Sequence, residues 1–306
     1  MSNGNGVFHY RVYGLNLESQ FVCPELVAVS DVTPEVVVSY GSVPDRLENM
    51  RAAGWKFQAN ADHVLIKTNA IADILVSQGK RIIIQPKADA REEEVRALFL
   101  GWGIGALLHQ RNMLPLHGSV ISLGDESIVF CAPSGTGKSS LAARFVKKGY
   151  RLLDDNIAAI ARVDGAYRVY PGYAMIKLPA DVHEKPEYSF VTPGSFLPAL
   201  RKYVLQVCQD LPAHPQSLKK IYVLTHDGPA ARALAPLNGG AKFSFLMQNV
   251  FCAQFLQGMD KLARQFRMIE SIAAQTPVLQ VRLPDWPTPY DDIADILESD
   301  FSRSSS

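Results

Sequence analysis

The chain has 306 residues, 47% hydrophobic and 20% charged, with a formal net charge of +1. That is globular composition for about two domains, each long enough to bury a core. The near-neutral balance leaves no electrostatic footprint for nucleic acid or an anionic membrane, and no apolar run approaches the ~18 residues of a membrane span.

Met1 to Gly6 carries no basic residue and no apolar run follows it, so a signal peptide is not expected. Cys23, Cys131, Cys208 and Cys252 are scattered, with no C-x-x-C pair and no metal-ligand spacing. That usage suits buried or inert thiols in a reducing compartment. A soluble, cytoplasmic protein is the expectation.

From Phe8 to Gln85 the pattern is short and β-like. Val7 to Tyr13, Leu15 to Val22, Glu35 to Tyr40, Trp55 to Ala59, His63 to Lys67, Ile71 to Val76 and Lys80 to Gln85 alternate or run apolar between Gly, Asn and Asp turns. This predicts an all-β module over residues 1–88, without a constellation of catalytic residues. Asp89 opens a helix with an acidic first turn (Glu92, Glu93, Glu94) and an apolar face of Val95, Leu98, Phe99, Trp102 and Ala106, which begins a second domain, 89–306. His117-Gly118 leads into a strand from Ser119 to Leu123, and the Gly124-Asp125-Glu126 turn makes it one arm of a hairpin.

The second arm carries the densest chemical signal. Ile128 to Cys131 reads as a buried strand, followed by Ala132-Pro133-Ser134-Gly135-Thr136-Gly137-Lys138-Ser139-Ser140 and a helix to about Lys148. This is the phosphate-binding pattern G-x-x-x-x-G-K-[ST] with Ala132 at its first position. Gly135 and Gly137 let the loop turn its N–H groups inward, and the helix N-terminus adds positive potential. Ser134 to Ser140 would therefore cradle the phosphates of a nucleoside triphosphate, Lys138 reaching the terminal ones and the Ser139 hydroxyl sitting on Mg²⁺.

Gly149 ends that helix, and Tyr150 to Asn156 returns as a strand expected beside the phosphate-loop strand. Its Asp154-Asp155 pair lies sixteen residues past Lys138. One carboxylate suits magnesium near Ser139, and the other could accept a proton from an attacking alcohol. The alternative is that both belong to a turn or a helix cap. Asp227, at the end of the buried Lys220 to Thr225 strand, is the second choice for the metal, although Gly228-Pro229 explains it as a turn. His117 could donate to the phosphates. Arg201 and Lys202, and less so Lys177, could close on the transferring group.

Ile157 to Val163, Ala166 to Tyr170 and Ala174 to Leu178 follow as hairpin-like strands. Residues 180–217 read mainly as a long loop containing a short strand from Arg201 to Val207. Phe243 to Ala274 is helical with a break near Gly258, Val278 to Leu283 is a last strand, and Asp291 to Leu297 is a closing helix.

His117-Gly118-Ser119, Ala132 to Ser139 and Tyr150 to Asp155 together resemble the HPr serine kinase/phosphorylase family. The firm part covers about residues 114–160. The resemblance implies an α/β (α+β) fold: a P-loop kinase core of the HPr kinase/phosphoenolpyruvate carboxykinase type with a mixed sheet, beside the β-rich module. It also implies Asp154 as general base, Asp155 and Ser139 on Mg²⁺, Lys138 on the phosphates, and His117 beside them. The family's Glu-Ile-Arg-Gly-Leu-Gly run is replaced by Tyr170-Pro171-Gly172-Tyr173. The arrangement is more similar to HPr-kinase-like enzymes of biosynthetic clusters, including kinases of the C-terminal serine of lasso peptide precursors, and Tyr10 to Leu15 looks like their opening. An ATP- and Mg²⁺-dependent peptide serine kinase is the resulting expectation. Its partner would be a precursor peptide or another hydroxyl-bearing substrate, with no nucleic acid or membrane partner, and a homo-oligomer is compatible. The rivals are a kinase of a small metabolite or carrier protein, and a non-catalytic nucleotide-responsive binding protein.

Overall fold

The computed structural model describes residues 6–179, 191–192, 196–197, 202–207, 209–226, 234–284 and 288–303. The chain divides into two units. One comprises residues 1–115 and 251–267, and the other 116–250 and 268–306.

The first unit is built on nine strands: β1 (Phe8–Val12), β2 (Leu15–Ser19), β3 (Val27–Ala28), β4 (Val36–Tyr40), β5 (Ala52–Gly54), β6 (Phe57–Ala59), β7 (His63–Ile66), β8 (Ala72–Ser77) and β9 (Arg81–Pro86). They form one mixed sheet in the order β3-β1-β2-β4-β9-β8-β7-β6-β5. Alternation along β9, where Ile82 and Ile84 are fully buried and Arg81 and Gln85 exposed, gives the sheet a covered and an open face. The covering elements are α1 (Glu92–Leu98), a π-helical turn (Phe99–Gly103) and α2 (Ile104–Gln110).

This differs from the expected boundary at 88/89, and hydrogen bonding is the reason. Gln110 Nε2 donates to the Asp62 and Val76 carbonyls at 3.1 Å each, and the Arg111 guanidinium donates to Gly79 O at 2.6 Å. His109 bonds Phe251 O at 2.7 Å and Gln265 at 3.0 Å, which ties the later segment to the same unit. Burial lowers the His109 pKa to about 4, so it is a neutral core residue.

The second unit holds β10 (Leu114–Leu123, from Leu116 on), β11 (Glu126–Cys131), α3 (Lys138–Lys147), β12 (Arg151–Asp154), β13 (Ile157–Val163), β14 (Ala166–Tyr170), β15 (Met175–Pro179), β16 (Val191–Thr192), β17 (Phe196–Leu197), β18 (Lys202–Val207), β19 (Gln216–His226), β20 (Leu234–Pro236), α4 (Gly239–Gln248), the C-terminal part of α5 (Leu262–Gln275), β21 (Val278–Leu283) and α6 (Tyr290–Arg303). The helical stretch expected from Phe243 to Ala274, with a break near Gly258, is α4, a 3-10 turn at Ala253–Phe255 and α5, and the interruption between Gln248 and Leu262 contains Gly258. The unit is mixed α/β. Its main sheet runs β11-β10-β13-β14-β19-β21-β20, with β12 paired to β10 and β11 also paired to β19.

Two expectations change here. The β12 strand, expected beside β11, pairs antiparallel with β10 (Val120 opposite Asp154), so β10 lies between it and β11, which pairs parallel with β19. The expected 180–217 loop contributes β16, β17 and β18, which join β15 in a small four-stranded antiparallel sheet, and β19 begins at Gln216. Residues 180–190 of that loop lie outside the described residues.

The helix α3 is the centre of the packing. On one side Leu141 and Phe145 meet Ile121, Ile128, Phe130, Tyr222, Leu297 and Phe301, and the Phe145 ring stacks on Phe130 with centroids 5.3 Å apart. On the other, Ala142 and Ala143 meet Ile176, Leu178, Leu205 and Val207 of the small sheet. Each fully buried large side chain contributes about 1.5–3 kcal/mol, which holds the N-terminus of α3 firmly at the end of β11.

Candidate functional site

The loop between β11 and α3 forms because an apolar, fully buried strand stops at Cys131 and two glycines permit the turn that follows. Gly135 and Gly137 adopt φ of 89° and 98°, and Gly137 is the N-cap of α3. A Cβ on Gly137 would also overlap the Tyr290 hydroxyl, so both dihedral and space require glycine there. Ser134 and Gly135 are exposed, while Thr136 and Lys138 are buried. The Lys138 ammonium donates to the carbonyls of Ala132 at 2.6 Å and Pro133 at 3.1 Å. Ala132, the departure from the loop pattern, is fully buried and serves through its backbone oxygen. The expected cradle residues Ser134 to Ser140 thus form one loop and the first turn of α3.

Asp155 is the charged focus of the site. Ser119 Oγ on β10 donates to its Oδ1 at 2.5 Å, and the Lys177 N–H on β15 donates to Oδ2 at 3.1 Å. The Ser139 hydroxyl also hydrogen-bonds this carboxylate, and Lys177 adds favourable charge. Burial pushes the Asp155 pKa upward, against these donors. Sequence placed Ser139 and Asp155 together as metal ligands, and the fold brings them into contact. Ser119 had no assigned role. Its sequence signal was a hydroxyl at the head of the Ser119 to Leu123 stretch, directly after the His117-Gly118 pair.

Asp154 faces a different task. Its Oδ1 accepts the N–H groups of Asn156 at 2.7 Å and Ile157 at 2.8 Å, and its Oδ2 accepts Tyr173 N–H at 3.2 Å. Asp154 therefore holds the β12–β13 turn and the Tyr173 backbone, close to the turn-capping alternative, although it is buried rather than solvated.

His117 is partly buried, its N–H donates to Asn249 O at 2.7 Å, and the Gly118 N–H donates to Asn156 O at 3.2 Å. The histidine is thereby tethered next to the twin-aspartate turn. Gly118 stands where a Cβ would come within 2.8 Å of Phe130 O, so β10 can cross at this point only with glycine. Lys202 opens β18 opposite Pro179, and its side chain is not described. Arg201 and Asp227 lie outside the described residues.

The donor set is hard oxygen: a buried carboxylate and a hydroxyl at the N-terminus of a helix, which fits Mg²⁺ and not a thiolate-seeking metal. Among the described residues no group of three or more His, Cys, Asp or Glu side chains gathers to hold a metal by itself. No helix among the described residues is long and apolar enough to cross a membrane.

No protein-family model matches the chain, and no curated protein does. Among solved structures it is similar to the HPr(Ser) kinase/phosphatase from Coxiella burnetii, over 62% of this chain and 92% of that one, with 9% identity and a TM-score of 0.33.

Proposed function

We propose that this chain is an ATP- and Mg²⁺-dependent phosphotransferase that moves the γ-phosphoryl group onto a serine hydroxyl of a peptide. The carrying observation is the buried Asp155 carboxylate bonded to Ser119 and Ser139, one residue past Lys138. A carboxylate kept buried at the mouth of a phosphate loop costs folding free energy, and a metal shared with the substrate offsets that cost.

In this reading the Lys138 ammonium and the N–H groups of residues 134–140 bind the polyphosphate and orient its terminal group. Asp155 and Ser139 hold Mg²⁺, which when bound neutralises charge on the phosphate oxygens. Asp154 takes the hydroxyl proton at Oδ2, the oxygen with the longer backbone bond. The new bond joins the serine oxygen to the γ-phosphorus, the bond to the bridging oxygen breaks, and ADP leaves. His117 lies beside the phosphates, and Arg201 or Lys202 offsets charge on the transferring group. The acceptor suggested by the resemblance is the C-terminal serine of a ribosomally made, lasso-type precursor.

The test is incubation of a peptide ending in serine with the protein, ATP and Mg²⁺, read by mass spectrometry. One added phosphate is expected on that peptide and none on its alanine-ended twin. Asp154→Asn should abolish transfer while ATP remains bound, and unchanged transfer by that variant removes Asp154 from the chemistry.

One observation favours a second reading. Three backbone N–H groups already occupy Asp154, as expected of a nucleotide-responsive binding protein without transfer. Tight ATP binding with neither transfer nor hydrolysis, across peptide, small-molecule and carrier-protein acceptors, would decide for it.

A further inference from the structure

Tyr290 is the first residue of α6, and α6 is clamped along α3 by charge. Arg144 Nε lies 3.5 Å from Asp291, and the Lys148 ammonium lies 2.6 Å from both Asp295 and Glu298. Exposed pairs contribute little singly. Together with the Phe301 ring packed 5.8 Å from that of Phe145, they fix how far α6 slides along α3. The consequence is felt at the N-terminus of α6. There the Tyr290 hydroxyl is hydrogen-bonded to Ser140 and Thr288 and rests against Gly137, in the space a Cβ would need. Burial raises the phenol's pKa, so it keeps its proton at neutral pH and remains a donor.

Ser139 and Asp155 mark the side of the loop that takes the metal and the terminal phosphates. Ser140 is the next residue on α3, about 100° further round the axis, so the Ser140–Tyr290 pair stands on another side of the same helix mouth. A polyphosphate whose terminal groups sit at Ser139 leads its nucleoside end away from there.

We propose that Tyr290 is a nucleotide-binding residue on the nucleoside side of the loop, where its hydroxyl and that of Ser140 donate to the phosphate nearest the ribose and its ring walls that end of the site. This rests on the nucleotide-binding reading of the loop and extends it to the C-terminal helix. Two neutral hydroxyls in this position favour a nucleoside triphosphate over bare pyrophosphate, because they act on the phosphate nearest the ribose, which pyrophosphate held at the terminal positions lacks.

The experiment is calorimetric titration of the full chain with Mg·ATP and, separately, with Mg²⁺-pyrophosphate, which fills only the two terminal phosphate positions. Tyr290→Phe should weaken Mg·ATP about three- to tenfold, the value of one hydrogen bond, and leave pyrophosphate unchanged. Ser140→Ala should reproduce the split, which guards against a fault peculiar to one variant. Equal losses for both ligands, or no loss for either, overturn the proposal, since Tyr290 would then only brace the loop or only pack. If the unaltered chain binds neither ligand, the nucleotide reading falls and this proposal with it, an outcome distinct from the other two.

Discussion

Ser119 Oγ donates to Asp155 Oδ1 across 2.5 Å, linking β10, the neighbour of β11, to the carboxylate just past β12. This bond orients a buried charge toward Ser139, and such supporting bonds typically matter 10–100-fold for metal affinity. Ser119→Ala should raise the Mg²⁺ concentration needed for half-maximal phosphoryl transfer about tenfold or more and change the rate at saturating Mg²⁺ far less. A magnesium titration of initial rate checks this, and an unchanged half-point would reduce Ser119 to packing.

Asp155→Asn should separate stability from function through pH. Burial raises the folded-state pKa of Asp155, so the folded chain binds this proton more tightly than the unfolded chain does. The stabilising contribution is full below the unfolded value of about 4 and is lost as pH rises through the folded value. Asparagine avoids that loss: its Oδ1 can accept the Lys177 N–H while its amide donates to Ser119, whose hydroxyl rotates. Without divalent metal, the variant's melting temperature should exceed the parent's increasingly as pH rises from about 4 and then level off. Added Mg·ATP should stabilise only the parent. A variant that melts lower throughout would contradict this account of Asp155.

Asp154→Asn should be destabilising as well as inactive. The amide oxygen can keep the Asn156 and Ile157 bonds, but the amide nitrogen then faces the Tyr173 N–H, donor against donor. A loss of about 1–3 kcal/mol is expected from urea unfolding. Transfer assays of this variant are therefore read beside its affinity for Mg·ATP.

Gly137→Ala should cost stability for two separable reasons, the φ of 98° and the overlap with Tyr290. Left-handed backbone strain alone is about 1–2 kcal/mol. Combining it with Tyr290→Phe, which removes the overlapping oxygen, should recover part of the loss. A double-mutant cycle should give a coupling of about 0.5–3 kcal/mol. Strict additivity would show that the phenol yields freely.

The sequence by itself determined the local features. A buried strand, glycines flanking Thr136 and a helix opening at Lys138 define the strand–loop–helix turn, because positive-φ glycines and an apolar run leave few other options. It also put Asp155 beside Ser139, which the fold brings into hydrogen-bond contact, and it read residues 8–85 as a series of short strands. What it did not determine depends on contacts distant in the chain. Only the tertiary structure decided that β10 separates β12 from β11 and that residues 89–115 and 251–267 join the N-terminal unit. Strand order and helix docking are set by which apolar faces meet, and a local pattern does not name its partner. The same reason hid Ser119 and Tyr290. Each is an ordinary residue in its own segment, and each acquires its role only when folding carries it to a carboxylate thirty-six residues away, or to a loop half the chain away.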